Sequence, residues 1–311
     1  MSEINIADSS RVACVIPVRN GGEDLKSLLA LLAEQTIPVD LFIIDSESSD
    51  DSVSVAQSHG AKVNRILVDN FDHGDTRQYM VDQLDAYEFC IFLTQDALPA
   101  SSRAIATLLS AFDNSCVAAA YGRQLPKADS TPFAAFLRYF NYPVESRVQS
   151  LESVSEQRMK TVFISNSFAA YRRSALQAVG GFPRNAILGE DISAAARLIS
   201  SGWHVAYVAE AECFHSHNYT LLEEWRRYFD IGVFYGREHW IQSRFGGAEK
   251  EGFRFVHEEL RFLGKKYWYL WPLSIIRNAG KFLFYKLGQK EKHLPLWLKI
   301  RLSMHRRFWL R

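Results

Sequence analysis

Residues 90–99 read CIFLTQDALP, an apolar run that ends in a single carboxylate, Asp96. A run of that length is a buried strand, and in an open α/β sheet ligands sit outside the carboxyl ends of the strands. A carboxylate there can hold a divalent cation against the phosphates of a nucleotide. It can equally cap a following helix. Other side chains able to do chemistry follow the same habit of sitting at element ends. Asp45 ends the apolar run at 41–44, inside DSESSD, where a turn or cap role is the plain alternative. Glu190-Asp191 follow Gly189 at the start of a helical stretch, where acids also favour the first turn. His215 and His217 lie in FHSHNYT and read as metal ligands, as loop residues in water, or as satisfied core residues. In NFDHGDTRQ, Arg77 stands just inside a predicted helix, where it and the helix N-terminus could meet phosphate, or where it is a surface arginine. His73 and Gly74 shape that turn, with Gly74 expected to supply backbone freedom.

The elements that must position these groups alternate between strand and helix. Strand-like runs fall at 12–18, 41–44, 62–67 and 89–93, and helical spacing at 24–35, 50–59 (with Asp50 or Ser49 as cap) and 76–84. Such βαβ repetition predicts a mostly parallel sheet with helices on both faces. Further on come strand 117–121, helix 133–139, a mobile loop over 145–158, strand 161–164, helix 173–179, the turn GGFP, helix 192–200 and strand 204–208. From 221 onward the chain reads as helical and aromatic. The fold expected is α/β, with a domain over 11–220 and a helical region over 221–311. The first βα turn, PVRNGGED, is not GxGxxG, and no GxxxxGK[ST] occurs, which argues against a conventional dinucleotide or P-loop site.

The 311 residues carry a net charge of +1 that hides a division. Residues 261–311 hold 13 Lys and Arg against one acid, or +12, and the other 260 residues hold 23 against 34, or −11. The four cysteines show no metal-type spacing, and Cys14 and Cys90 fall in expected strands, as reduced core residues of a cytosolic protein do. The opening MSEINIADSSR has no basic region followed by an apolar run, so no signal peptide and no export is expected. The apolar stretch at 267–276 is far too short to span a bilayer.

Taken in order, VIPVRN at 15–20, IIDS at 43–46 with SSD after it, TQDA at 94–97 and GED at 189–191 resemble the family-two inverting glycosyltransferases of the GT-A fold. The resemblance covers about 11–220. It implies that the first strand end (Pro17, Val18, Arg19) and Asp45 hold the nucleotide base, with Asp45 accepting the pyrimidine imide N–H. It implies too that Gln95 and Asp96 meet diphosphate and metal, and that Glu190-Asp191 supply the base, Asp191 taking the acceptor proton and Glu190 lying on the acceptor side. NFDHGDTRQ, TQDALP and FHSHNYT are similar, more narrowly, to bacterial dTDP-rhamnosyltransferases of O-antigen and capsule synthesis. The donor implied is dTDP-L-rhamnose, and the acceptor a hydroxyl of a lipid-linked glycan. The usual Asp-x-Asp appears as Thr94-Gln95-Asp96, with one carboxylate fewer. Asp96 is then the first ligand of Mg2+ or Mn2+, with His215 or His217 as a second, and nucleotide-binding roles extend to His73, Gly74 and Arg77.

Residues 222–245 combine arginines with aromatics, Trp225 and Arg226 among them, as a sugar-stacking wall does and as a packed helix with solvated arginines also does. Beyond 261, tryptophans among Lys and Arg suit a membrane surface. That implies a peripheral protein on the inner face of the bacterial cytoplasmic membrane; a dimer interface or a solvated face is the alternative. No nucleic-acid motif accompanies the charge. A UDP-hexose donor, or a catalytically silent membrane adaptor of a polysaccharide-assembly complex, are the competing readings.

Overall fold

A computed structural model describes residues 12–247 and 249–311; the opening segment, the subject of the signal-peptide expectation, and the domain start at 11 lie outside the described residues. The first half alternates as the sequence suggests: β1 (Val12–Val18), α1 (Gly22–Ala33), β2 (Asp40–Asp45), α2 (Ser52–Ser58), β3 (Lys62–Arg65), α3 (His73–Gln83), β4 (Phe89–Leu93), β5 (Leu98–Pro99) and α4 (Ala104–Leu109). Then come β6 (Val117–Leu125), α5 (Pro132–Asn141), β7 (Arg147–Gln149), α6 (Val154–Gln157), β8 (Phe168–Arg172), α7 (Arg173–Ala178), α8 (Glu190–Ser200) and β9 (His204–Phe214). The remainder is helical: α9 (Leu221–Arg237), α10 (His239–Phe245), α11 (Glu249–Leu263), α12 (Trp271–Gln289) and α13 (Leu296–Leu302).

The strands form one sheet in the order β3-β2-β1-β4-β8-β6-β9-β5, with β7 on β9. Alternate side chains leave a strand on opposite faces, and β1 uses both. Val12, Cys14 and Ile16 join a core with α1, α2 and α4, while Ala13 and Val15 join one with α3, α8 and α9. Cys14, Cys90 and Cys213 are buried free thiols and Cys116 is an exposed one.

The sheet is mixed rather than mostly parallel. β3, β2, β1 and β4 are parallel neighbours, and so are β6 and β9, but β8 runs antiparallel between β4 and β6. This reversal builds the site. Phe168, the first residue of β8, pairs with Leu93, the last of β4, so the residues just before β8 arrive at the edge where the parallel strands end. The strand expected at 161–164 is instead a 3-10 turn over Arg158–Val162; Val162 and Ile164 are buried, but without ladder partners. The loop expected to be mobile at 145–158 contains β7 and α6, and β9 continues to Phe214, past the expected end at 208.

The helical region is tied together at its centre. α9 and α12 meet backbone to backbone: a Cβ on Gly288 would lie 2.0 Å from the Phe229 carbonyl oxygen, and one on Gly232 would lie 2.1 Å from that of Tyr285. Beside this contact, buried Glu224 pairs with Arg277 at 2.7 Å and with Lys281 at 2.8 Å. Among the described residues no helix is long and apolar enough to cross a membrane.

Candidate functional site

The ends of β1 and β2 are interlocked. Parallel register sets Val18 beside Asp45. Asn20 Oδ1 accepts the Ser49 N–H at 2.8 Å, and Ser48 Oγ accepts the Asn20 N–H at 2.9 Å. Buried Asp45 accepts the Ser48 N–H at 3.2 Å, so the turn role is the one its carboxylate performs here. Gln95 ties β4 to the same edge: its Oε1 accepts the Arg19 N–H at 2.9 Å. The residue standing where the metal motif usually has an acid thus braces the backbone of the first loop.

α3 begins three residues earlier than its sequence pattern indicates, because Asp72 caps it, accepting from the Gly74 and Asp75 amides at 2.9 and 3.0 Å. Gly74 is needed for a close approach and not for unusual backbone angles: a Cβ there would lie 1.8 Å from the Pro183 carbonyl oxygen. Arg77 therefore sits a full turn into the helix and is no surface residue. Its Nη1 lies 3.1 Å from Glu190 Oε1 and donates to the His73 carbonyl at 2.9 Å, with both side chains buried. Glu190 is accordingly an internal partner of Arg77 rather than an open acceptor contact. His73 packs edge-on against Phe71 and His305, and its Nε2 is buried without a partner. Burial first, then the charges of Arg77, Arg227 and Arg311, push its pKa down to about 3, so the imidazole is neutral.

Asp96, His215 and His217 come together with ligand atoms within 4.8 Å of one another. The two-residue strand β5 does this, pairing Leu98 with Phe214 so that the turn before β5 faces the residues just after β9. Asp96 caps no helix, since α4 starts later, at Ala104. Gln124 Oε1 takes an N–H of Arg138 and lies 2.9 Å from His215 Nδ1. That contact requires the proton on Nδ1 and leaves the lone pair on Nε2, which is buried without a hydrogen-bond partner 3.5 Å from Asp96 Oδ1. Burial lowers the pKa of both histidines, that of His217 to about 4. Burial alone would raise the Asp96 carboxyl, but the histidines beside it outweigh this and hold it well below the usual range. Two neutral imidazoles and one ionised carboxylate fit a divalent first-row transition cation, Mn2+ among them, better than Mg2+, which prefers oxygen ligands throughout.

Asp191 lies on the first turn of α8, after Gly189 in the left-handed region (φ 77°). Its carboxylate accepts the Asn166 N–H at 3.2 Å and the Ile192 N–H at 2.8 Å. Burial first, then the neighbouring Glu190 charge, raise its pKa to about 7. Residues 165–167 connect this carboxylate to the cluster of Asp96, His215 and His217. Ser165 Oγ accepts from Gln124, Asn166 Nδ2 donates to Glu190 at 3.1 Å, and the Ser167 carbonyl accepts from the Thr94 amide. The sequence reading missed Gln124 and Asn166; the polar triplet SNS immediately before FAAYR was the only signal.

A cavity of about 550 Å3 opens at this edge, lined by Pro17, Val18, Arg19, His73, Arg77 and Gln95 among the expected residues. Asp45, Gly74 and Asp96 are not in its lining. Its other wall, unforeseen in the sequence, is Met304–Phe308 together with Arg311. Trp225 and Arg226 are engaged elsewhere. The Trp225 indole N–H donates to the Arg277 carbonyl at 3.1 Å against α12, and Arg226 Nε donates to the Arg301 carbonyl at 3.2 Å.

A family model described as glycosyltransferase like family 2 matches residues 10–229. The O-antigen chain rhamnosyltransferase WbaN of Salmonella anatum is 45% identical over 272 residues, which is 88% of this chain and 86% of that one. The O-antigen chain rhamnosyltransferase RfbN of Salmonella typhimurium is 44% identical over 301 residues, 96% of each chain. Among solved structures, the mannosyltransferase PcManGT from Pyrobaculum calidifontis, in complex with GDP-Man and Mn2+, aligns with a TM-score of 0.56 over 96% of this chain and 85% of that one. At 14% identity that likeness concerns the fold alone.

Proposed function

The chain belongs to the glycosyltransferase-like family 2, and we propose that it is an inverting rhamnosyltransferase of O-antigen synthesis. In this reading it moves L-rhamnose from dTDP-L-rhamnose to a hydroxyl of a lipid-linked oligosaccharide. Two relatives named as O-antigen chain rhamnosyltransferases, at 44–45% identity over most of the chain, support the donor sugar and the pathway. The geometric observation that carries the reading is Asp191, a carboxylate of raised pKa linked through 165–167 to Asp96, His215 and His217.

The chemistry follows from those groups. Asp191 takes the proton of the acceptor hydroxyl as its oxygen bonds to the anomeric carbon and the bond from that carbon to the diphosphate oxygen breaks on the opposite face. One carboxylate suffices, and the configuration inverts. Glu190 lies against Arg77 and Asn166, and its charge adds to the burial that raises the Asp191 pKa. A divalent cation bound by Asp96, His215 and His217 would stabilise the departing nucleoside diphosphate. The base is read as lying along Pro17, Val18, Arg19 and Asp45.

Residues 11–220 are read as the catalytic domain and 221–311 as the region facing acceptor and membrane. A band of exposed residues on and around α12, among them Trp268, Trp271, Ile275, Ile276, Phe282 and Trp297, supports docking on the inner face of the cytoplasmic membrane, with exposed Lys265, Lys266, Lys290 and Lys292 nearby to meet anionic lipid. The test is nucleotide release from a panel of dTDP- and UDP-sugars with a lipid-linked glycan fraction, using wild type and Asp191→Asn. Release from dTDP-rhamnose, lost in the variant, is expected. Release only from a UDP-hexose would overturn the donor, and silence with every donor would leave the adaptor reading.

A further inference from the structure

Five arginines, Arg19, Arg77, Arg306, Arg307 and Arg311, share the cavity lining with a single acid, Asp72. Two of the five are spoken for: Arg77 by Glu190, and Arg311 by Asp72 at 3.3 Å. Arg307 has a partner in highly exposed Asp69 at 3.6 Å, which water screens. Arg19 and Arg306 have no ion-pair partner among the described residues; both are exposed, and Arg306 is the one on the wall built by the C-terminal segment.

The segment that carries Arg306 is held on both sides of it. Before it, the buried Asp230 carboxylate accepts the Met304 and His305 amides at 2.9 and 3.1 Å. After it, buried Trp309 lies beneath Arg237 and Lys299, which are both ion-paired to Glu291. Arg311 also donates to the Asp69 and Phe71 carbonyls across the cavity mouth. His305 packs edge-on against His73, whose buried Nε2 still lacks a partner. A backbone fixed this firmly around an unpaired guanidinium is preorganised for an anion of two or more charges.

We infer that residues 304–311 form part of the donor site and that Arg306, assisted by Arg307, binds the diphosphate of the nucleotide. The inference rests on reading the cavity as the nucleotide-sugar pocket. A prenyl diphosphate would present the same chemistry. The nucleotide is favoured because the facing wall is built from the ends of β1 and β4 and from the start of α3.

Titration calorimetry separates the possibilities, using dTDP, UDP, thymidine and a water-soluble prenyl diphosphate against wild type, Arg306→Ala, Arg306→Lys and Arg306→Ala/Arg307→Ala. Loss of a charge-assisted hydrogen bond predicts dTDP binding weaker by about tenfold or more in Arg306→Ala. The double variant should be weaker still, Arg306→Lys partly restored, and thymidine binding the same throughout. Exposed Arg306 can be replaced without opening the core, and unchanged melting curves would verify this. Equal dTDP affinity in all four proteins overturns the assignment, as does a loss confined to the prenyl diphosphate. Wild type that binds neither dTDP nor UDP brings down the donor reading itself, and the assignment with it.

Discussion

Asp191 is pulled in two directions. Burial and the Glu190 charge raise its carboxyl to about 7, while the Ile192 and Asn166 amides and the Arg77 charge favour the ionised form. A base works only when deprotonated, so kcat/KM should climb about tenfold per pH unit below neutrality and level off above about 7. A profile already flat at pH 5 would show a carboxyl near its ordinary value. Asp191→Asn should lower turnover about 10²–10⁴-fold, with dTDP affinity little changed by calorimetry. The carboxylates and histidines that gather at this edge were legible as candidates because they stood at the ends of apolar runs. Asn166 and Gln124 were not legible. Each is a neutral amide whose task is set by the strands that converge on it, and no periodicity marks it. Arg77 was legible as a charge near the site but not as a buried partner of Glu190, since 113 residues separate the two in the sequence.

At the scale of elements, continuous apolar runs were readable and very short or alanine-rich strands were not. β1, β2 and β4 are runs of apolar residues and were found within a residue or so. β8 was displaced because TVFI at 161–164 is the more apolar run, whereas the alanines of FAAYR suit a strand flanked closely on both sides. β5, at two residues, is below any sequence signal, yet it brings Asp96 to the histidines. The α9–α12 contact was equally hidden, since it depends on glycines that only a docked helix makes meaningful. It gives a paired prediction for thermal melting. Gly288→Ala drives a Cβ to 2.0 Å from the Phe229 carbonyl oxygen and should cost about 1–3 kcal/mol. Gly252→Ala, in the exposed interior of α11 with nothing within 4 Å, should stabilise by about 0.5–1 kcal/mol. Equal melting temperatures for the two would deny the close contact.

At the scale of the whole molecule, deleting 261–311 would be a poor test of membrane docking. It would strip α12 from α9 and remove a wall of the cavity along with the surface in question. Point changes on the exposed band are cleaner. Trp268 and Trp297 are 68% and 64% exposed, so replacing them should spare the core. Trp268→Ser/Trp297→Ser should weaken sedimentation with anionic vesicles about tenfold or more, given the apolar area that each ring buries in an interface. Release of dTDP with a soluble acceptor should be unaffected. Vesicle binding at wild-type level would move the membrane contact to another face. The sequence indicated the basic, aromatic character of this region, but not that its later residues fold back to the cavity.

The separation of charge along the chain has a consequence on the bench. With +12 in residues 261–311 and −11 in the remainder, the chain carries opposite charge in its two regions although it sums to +1. Near its isoelectric point it should be retained by a cation exchanger and by an anion exchanger at the same pH. Each resin would select one region, so the two columns would hold the protein in different orientations. Modest salt should elute it from both.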